Sequence, residues 1–137
     1  MLYAGIAIIF NKNKEVLIVK RSPEVDTFSG YWCFPGGGAD PWETPEECTV
    51  REVKEETNLI IKPDDLSYLH TLTKDEGKDI YFFIAEKYKG DIKIDWESSE
   101  FKWSPAGALK NEKFIPTPDI LFEMIELWAD KFISNKD

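Results

Sequence analysis

Three glutamates, Glu52, Glu55 and Glu56, lie close together near the middle of the chain. If this segment is helical, their i, i+3, i+4 spacing places all three carboxylates on one face. Like charges at this spacing repel by ~0.2–0.5 kcal/mol per pair, so the cluster does not help the helix itself. Hard cations such as Mg²⁺ and Mn²⁺ prefer carboxylate oxygens and relieve that repulsion. The pattern therefore indicates a metal site or a solvated acidic face, and three glutamates alone do not decide between them.

The residues around this cluster favour the metal site. A glycine run, Gly36–Gly38, precedes the cluster and lets bare backbone approach a ligand closely. Glu43 and Arg51 flank the start of the segment, and their opposite charges allow them to pair. Such a pair would hold the glycine loop against the helix. We therefore expect Gly36, Glu43 and Arg51 to support the site by fixing the carboxylates that face the metal.

The segment that carries the glutamates has strong helix signals at both ends. Thr44 is suited to the N-cap, Pro45 to the first helical position, and Glu47 to the third position of a capping box. The helix is predicted to end at about Thr57. Asn58 then follows as a residue that tolerates the left-handed conformation of a helix C-cap.

The rest of the chain alternates strand patterns with one more helix. Residues 4–10 and 16–19 are apolar and flank a turn, which predicts a hairpin-like pair of strands. Residues 32–34 form a short apolar run that Pro35 and the following glycines should break. Further strands are predicted at 66–72, 80–88 and 101–103, and an amphipathic helix begins near 117–119. This order predicts a single α/β domain over residues 1–137, with a mixed sheet between two helices.

Composition limits the classes of partner. The net charge is −9, from 26 acidic and 17 basic residues, and this balance disfavours binding to a nucleic-acid duplex. Two cysteines, Cys33 and Cys48, do not suggest a disulfide framework, so a reducing, cytoplasmic location is expected. Residues 2–10 lack the basic start and cleavage site of a signal peptide, and no stretch reaches the length of a membrane span. No membrane partner is therefore expected.

Residues 37–59 resemble the Nudix box, G-x5-E-x7-R-E-U-x-E-E-x-G-U, in which U is a bulky aliphatic residue. One position departs from it: Asn58 stands where the pattern has glycine, and asparagine is the next-best residue for that conformation. The flanking segments at 30–37 and 97–103 are similar to the G-x-W-x-x-P-G-G and E-x-x-E-[FY]-x-W segments of the same family. The matching box positions are Gly37, Glu43, Arg51, Glu52, Val53, Glu55, Glu56 and Leu59.

The resemblance implies a Nudix-type α/β/α sandwich and a hydrolase that uses Mg²⁺ or Mn²⁺. It implies that Glu52, Glu55 and Glu56, with the Gly37 carbonyl, bind metal, and that Glu97 is a further ligand. The implied reaction is metal-assisted attack of water on phosphorus. Either Glu52 or Glu97 would act as the general base, and the sequence leaves this choice open.

The resemblance also suggests residues that contact a nucleotide. Arg21 ends a predicted strand at a position where related proteins contact phosphate, although a surface arginine is an equally good interpretation. Asp119 begins the last helix, where a side chain of related proteins contacts the base. An acid favoured by the helix dipole is the simpler interpretation of Asp119. Residues suited to stacking on a base are Phe34, Tyr81, Phe83 and Trp103.

Three functions remain open at this stage. The first is hydrolysis of (d)NTPs or modified nucleotides, and the short chain fits this branch better than the ADP-ribose hydrolases. The second is hydrolysis of dinucleoside polyphosphates or of RNA 5′ ends, although the acidic balance weighs against long RNA. The third is a Nudix-fold sensor without turnover, which the retention of every box glutamate disfavours. A monomer or a homodimer that binds a small nucleotide is expected.

Overall fold

The computed structural model describes residues 3–133, which form seven strands, two α-helices and two short 3-10 helices. The prediction of a single domain over 1–137 includes residues 1–2 and 134–137, which lie outside the described part, and it stays a prediction. The 3-10 helices are Pro63–Asp65 and Ala106–Asn111. The other elements are β1 (Tyr3–Ile9), β2 (Glu15–Arg21), β3 (Trp32–Cys33), β4 (Gly36–Gly38), α1 (Pro45–Thr57), β5 (Leu66–Thr73), β6 (Asp79–Ala85), β7 (Ser98–Pro105) and α2 (Asp119–Phe132).

The strands divide into two sheets. One has the order β4-β1-β6-β5 and is mixed, because β1 runs parallel to β6 and antiparallel to β4. The other has the order β3-β2-β7 and is antiparallel. The predicted α/β class with helices around a mixed sheet is confirmed, but the strands form two sheets where one was expected.

The predicted hairpin of the first two strands is wrong in its pairing. The turn itself forms, because Asn11 Oδ1 accepts hydrogen bonds from the backbone N–H groups of Asn13 and Glu15. An isolated antiparallel bridge, Phe10 to Val16, then joins the two strands. Beyond it they separate, since β1 pairs along its whole length with β6, and β2 pairs with β3 and β7. Partners that are distant in sequence therefore decide the pairing.

Alternating residues of the strands face two hydrophobic layers. In β1, Ile8 packs in the layer that contains α2, whereas Ala7 and Ile9 pack in the layer that contains Val53 of α1. The same alternation occurs in β2 and β6. The expectation of one main helix on each face is therefore confirmed. The largest fully buried side chains include Phe10, Ile8, Ile9, Leu17, Ile18, Leu59, Ile84, Leu109, Leu121 and Ile125.

Helix α1 begins and ends where its sequence signals predict. The Thr44 side chain accepts from the backbone N–H of Glu47, and the Glu47 side chain accepts from the backbone N–H of Thr44. Pro45 is the first helical residue, and Asn58 ends the helix with φ of 69°. The local signals therefore fix the register of the helix, and with it the face on which the glutamates lie.

The short strand β3 ends at Cys33, before Pro35 and the glycines, as predicted, and the glycine run then forms a strand of its own, β4, in the other sheet. Gly37 lies opposite Gly5 of β1 in an antiparallel register. A side chain at Gly5 would collide with Thr49 and Pro45 of α1, so its absence allows the helix to pack directly on β1. This close packing brings the glutamates of the helix over β4.

Cys33, in β3, and Cys48, in α1, are both free and buried. Within residues 3–133, neither α-helix has the length and hydrophobicity needed to span a bilayer.

Candidate active site

Arg51 connects the loop before α1 to the helix. Its Nε and Nη2 donate to Glu43 Oε2 and Oε1 over 2.6 Å and 2.9 Å, and Nη2 also donates to the Gly38 carbonyl over 3.0 Å. Nη1 lies 3.1 Å from Glu52 Oε2 and 3.3 Å from the Glu55 carboxylate. The guanidinium therefore holds the loop to the helix and fixes one side of the glutamate cluster.

This ion pair changes the acidity of both partners. The hydrogen bonds from Arg51 keep the pKa of the Glu43 carboxyl below its usual value, although partial burial opposes this effect. The carboxylates around Arg51, Glu43 first among them, raise the pKa of the guanidinium above its already high value. The backbone N–H of Asp40 donates to Glu43 over 2.9 Å and helps to keep that carboxyl ionised.

Glu56 is the most buried acid of the cluster. Only 9% of the residue is exposed, and its Oε1 accepts from the backbone N–H of Gly36 over 3.2 Å. Burial, together with the neighbouring Glu52, raises the pKa of Glu56 to about 10. Burial also raises the pKa of Glu97, with further contributions from the charges of Asp95 and Glu52. Carboxyl groups are therefore concentrated where water is partly excluded, and a cation would favour their ionised forms.

Several of the predicted residues line one cavity of about 340 Å³, called here the acidic cavity. Glu52 and Glu56 reach it from α1, and Glu97 reaches it from the loop before β7. The acidic cavity therefore brings together residues that are far apart in sequence. The predicted site residues in its lining are Arg21, Phe34, Gly36, Gly37, Glu52, Glu56 and Glu97.

Two other predicted residues lie outside the acidic cavity. The Glu55 side chain is 55% exposed and contacts Arg51 at the helix surface. Asp119 is the first residue of α2 and lines a separate depression of about 110 Å³ beside Lys110. The structure therefore does not bring Asp119 to the acidic cavity, and its position fits that of an acid at the positive end of a helix.

Gly37 lies directly beside the Glu52 carboxylate. A Cβ atom at Gly37 would come within 2.5–2.8 Å of the carboxylate atoms of Glu52, closer than real contacts allow. The Gly37 carbonyl accepts from the Cys48 thiol over 3.2 Å. Only a residue without a side chain therefore permits this approach of Glu52 to the strand.

The donor set fits a hard divalent cation. Glu52, Glu56 and Glu97 supply carboxylate oxygens around one cavity, in whose lining Arg21 is the positive side chain. Among residues 3–133, no three acidic, histidine or cysteine side chains form a complete metal-binding group on their own. The fit therefore rests on the buried Glu56 and the half-buried Glu52 and Glu97 around the acidic cavity. These suit a cation that keeps water and substrate oxygens among its ligands.

Arg21, which also lines the acidic cavity, is held in place by a neighbouring loop. Its Nε donates to the Thr27 carbonyl over 2.8 Å, and Nη2 donates to Thr27 Oγ1 over 3.2 Å. Next along the chain, the backbone N–H of Ser22 donates to the Glu97 carbonyl over 2.8 Å. The end of β2 therefore positions both Arg21 and the loop that carries Glu97.

An apolar pocket of about 590 Å³ adjoins the acidic cavity. The two share Ile6, Phe34 and Ile115 as lining residues. In the apolar pocket the Phe34 ring packs against Phe114, with centroids 4.9 Å apart. The adjacent volumes can therefore hold a ligand that has a charged end and a planar or apolar end.

The other stacking candidates lie elsewhere. Tyr81 and Phe83 stack on each other, and the alternation of side chains along β6 places them on the opposite face from the apolar pocket. Trp103 stacks on Tyr88, against the layer that contains α1. Of the aromatic residues named from the sequence, only Phe34 lines the apolar pocket.

Sequence reasoning missed several residues of the apolar pocket. Phe114 and Ile115 had a usable signal, because an apolar pair in a proline-rich loop indicates burial. Ile6 and Phe82 had only the strand alternation, which does not identify the face that lines a ligand site. Lys74 had no signal, because it is one of several charged residues in a polar turn.

Comparison with known proteins agrees with this geometry. The family model of the NUDIX domain matches residues 2–124, which include the glycine strand, α1 and Glu97. The chain belongs to the NUDIX family. This membership confirms the resemblance found in residues 37–59, and it makes the chain a hydrolase of phosphoanhydride bonds.

Individual relatives of this Nudix hydrolase differ in their named substrates. The 8-oxo-dGTP diphosphatase of Escherichia coli is 29% identical over 120 residues, which cover 84% of this chain and 88% of that protein. The ADP-ribose pyrophosphatase of Methanocaldococcus jannaschii is 30% identical over 83% of this chain and 72% of its own length. Nudix hydrolase 2 of Arabidopsis thaliana is 30% identical over 91% of this chain, and the chain spans 46% of that relative.

Solved structures support the fold independently. A structure from work on MutT of Aliivibrio salmonicida and Vibrio cholerae has a TM-score of 0.78. The similarity covers 91% of this chain and 96% of that one, at 23% sequence identity. At this identity the similarity shows the fold and does not identify a substrate.

Proposed function

We propose that this Nudix hydrolase is a Mg²⁺- or Mn²⁺-dependent pyrophosphohydrolase of (d)NTPs or modified nucleotides. The observation that carries the proposal is the adjacency of the acidic cavity and the apolar pocket, which share Phe34 in their walls. A nucleotide matches this pair of volumes, because it has phosphates at one end and a planar base at the other. The Escherichia coli relative named an 8-oxo-dGTP diphosphatase supports the same choice.

The proposed cation ligands are the acids of the cavity, Glu52, Glu56 and Glu97, with the Gly37 carbonyl, and Glu55 from the helix surface. A divalent cation supplies positive charge that neutralises phosphate oxygens and the charge developing on the leaving group. The burial of Glu56 supports this assignment, because a buried carboxylate is stable as an ion only beside a positive charge.

The chain's own residues have two further roles in the proposal. Glu52 or Glu97 removes a proton from the attacking water, and the raised pKa of Glu97 makes its carboxylate a stronger base. Arg21 donates to a phosphate oxygen. Because Thr27 already orients the guanidinium, Arg21 loses little side-chain freedom when a phosphate binds.

The apolar pocket is proposed to hold the base. Its volume of about 590 Å³ lies within the ~300–1,000 Å³ of small-molecule sites. Phe34 and Phe114 offer aromatic surface for stacking, which contributes ~1–3 kcal/mol per base in nucleic-acid complexes. Asp119 has no part in this proposal, because it lines a different depression.

The test is turnover of a nucleotide panel with Mg²⁺, Mn²⁺ or EDTA, scored separately for pyrophosphate and for phosphate. We expect metal-dependent release of pyrophosphate and a nucleoside monophosphate. Glu52→Gln should lower kcat by about 100-fold or more, the range for loss of a general base or its equivalent, with an unchanged melting temperature. Turnover that persists in EDTA, or full activity of Glu52→Gln, contradicts the proposal.

ADP-ribose is a second candidate substrate. The Methanocaldococcus jannaschii relative named an ADP-ribose pyrophosphatase is about as similar to this chain as the Escherichia coli relative is. The same panel separates the two, because ADP-ribose yields AMP and ribose 5-phosphate, whereas a triphosphate yields pyrophosphate. Dinucleoside polyphosphates complete the panel, since their products contain two nucleotides.

A further inference from the structure

The apolar pocket has few polar side chains, and they differ in whether they can still donate a hydrogen bond to a ligand. Three polar side chains line it: Thr73, Lys74 and Thr117. The Thr73 hydroxyl donates to Asp79 Oδ1 over 2.7 Å, and the Thr117 hydroxyl donates to the Ile115 carbonyl over 2.8 Å. The hydrogen of each hydroxyl is therefore already used in a hydrogen bond within the protein, and each threonine oxygen can act towards a ligand only as an acceptor. Lys74 is the remaining side-chain donor in the lining.

The position of Lys74 is set by a closed turn. Lys74 follows the last residue of β5, and its backbone N–H donates to the Lys78 carbonyl over 2.8 Å. Its own carbonyl accepts from the backbone N–H of Gly77 over 2.9 Å. Among residues 3–133, no carboxylate lies within ion-pair distance of its ammonium group. The backbone is therefore held at the pocket while the charge stays available to a ligand.

We propose that Lys74 is a specificity-determining residue that selects bases with a carbonyl oxygen at the pyrimidine 4-position or the purine 6-position. The inference rests on the proposed function, because it assigns the base of the nucleotide to the apolar pocket. An ammonium group has three hydrogen-bond donors and no acceptor. It can therefore bind the keto oxygen of uracil, thymine or guanine, but it repels the amino group that cytosine and adenine carry there.

The phosphates are a less suitable partner for Lys74. Lys74 lines the apolar pocket and is absent from the lining of the acidic cavity. The residues that the two volumes share lie where the volumes meet, so a phosphate among the acids of the acidic cavity occupies the other side of that boundary. Lys74 consequently faces the end of the ligand that differs between nucleotides.

The experiment compares dUTP with dCTP, which differ at the 4-position of the base. For the wild-type chain with Mg²⁺, we expect kcat/KM to be higher for dUTP than for dCTP. Lys74→Met keeps the apolar stem and removes the charge, and it should reduce this ratio by about tenfold, as expected for loss of one charged hydrogen bond. The matched control is Lys78→Met, which changes a lysine of the same turn that does not line the pocket.

Each outcome has one meaning. A fall in the dUTP to dCTP ratio for Lys74→Met, with the ratio preserved in Lys78→Met, supports the assignment. An unchanged dUTP to dCTP ratio for Lys74→Met overturns the proposal. If turnover of both nucleotides falls equally, Lys74 binds the phosphates or the sugar instead. The proposed function survives in either case. If the wild-type chain with metal hydrolyses no nucleotide, the proposed function fails and this inference fails with it.

Discussion

Arg51 binds both carboxylate oxygens of Glu43, from Nε over 2.6 Å and from Nη2 over 2.9 Å. The two residues are eight positions apart, so the pair closes the loop that leads from β4 into α1. The Glu43 side chain is 9% exposed and that of Arg51 is 29% exposed. The pair is therefore shielded enough that breaking it leaves a carboxylate without its counter-ion in a poorly solvated place.

Arg51→Ala should destabilise the protein more than a change at any glutamate of the cluster. The expected loss is about 2–3 kcal/mol, below the ~3–5 kcal/mol for a fully buried pair, because Arg51 is partly exposed. The measurement is the free energy of unfolding in denaturant. Lys54→Ala, an exposed change on the same helix, is the control and should cost much less. Equal stability of the two variants would show that the Glu43 pair contributes little.

Glu56→Gln should remove a pH dependence of stability in metal-free protein. The pKa of Glu56 is raised to about 10, whereas an unfolded glutamate has a pKa of about 4.3. Between these values the unfolded chain releases a proton that the folded chain retains, so wild-type stability falls as pH rises. In EDTA, the melting temperature of Glu56→Gln relative to wild type should therefore increase from pH 5 to pH 9.

Two comparisons test this interpretation. Glu123→Gln, an exposed change on α2, should show no such trend relative to wild type. Mg²⁺ at pH 8 should raise the melting temperature of the wild type more than that of Glu56→Gln, because the ion stabilises the carboxylate form. Parallel pH curves for wild type and Glu56→Gln would mean that Glu56 ionises normally in the fold.

Local signals in the sequence predicted α1 from its N-cap to its C-cap. Thr44 and Asn58, at the two ends, each act within one helical turn, so no knowledge of the tertiary structure was needed. The same register placed Glu52 and Glu56 on one face, and the structure brings both to the acidic cavity. The acids of the cluster were therefore predictable as a group, although Glu55 lies at the helix surface.

Features that depend on distant partners were not predictable in the same way. The division into two sheets follows from the pairing of β1 with β6, 76 residues away along the chain (Tyr3 with Asp79). Gly36–Gly38 has no strand propensity of its own and is extended because β1 pairs with it. The place of the Asp119 side chain depends on how α2 is rotated about its axis. The spacing of the apolar residues along a helix does not determine where the side chain of its first residue lies. Lys74 reaches the apolar pocket only through the β5–β6 turn.

Gly37→Ala should lower turnover with little effect on stability. The three heavy atoms nearest to the added Cβ all belong to the Glu52 carboxylate, which is the far end of a flexible side chain and can move away. Gly5→Ala should instead lower the melting temperature, because its Cβ would meet the Pro45 carbonyl of α1 at 2.9 Å and separate the helix from β1. Melting temperature and Mg²⁺-dependent turnover are measured for both variants. A large loss of stability in Gly37→Ala would show that β4, and not Glu52, responds to the change.

The last prediction concerns Asn58, the position that departs from the family box. Its φ is 69°, its backbone N–H donates to the Lys54 carbonyl, and its Nδ2 donates to the Asp91 carbonyl over 3.1 Å. Asn58→Gly removes the left-handed penalty of ~1 kcal/mol but also loses the Asp91 contact, worth ~0.5–1.5 kcal/mol. The two effects offset each other, so the free energy of unfolding should change by less than about 0.5 kcal/mol.

Asn58→Val should destabilise by about 2 kcal/mol or more, because a β-branched residue is strained at positive φ and cannot bind Asp91. Glu56 lies two residues before the cap, so distortion there should also raise the Mg²⁺ concentration needed for half-maximal turnover. Measuring turnover as a function of Mg²⁺ concentration, and unfolding in denaturant on the same variants, separates the loss of stability from the change in Mg²⁺ requirement. If Asn58→Gly loses as much turnover as Asn58→Val while remaining folded, then the Asn58 side chain serves the reaction through its link to Asp91. If only Asn58→Val loses turnover, the backbone conformation of the cap is what positions Glu56, and asparagine stands there as a substitute for glycine.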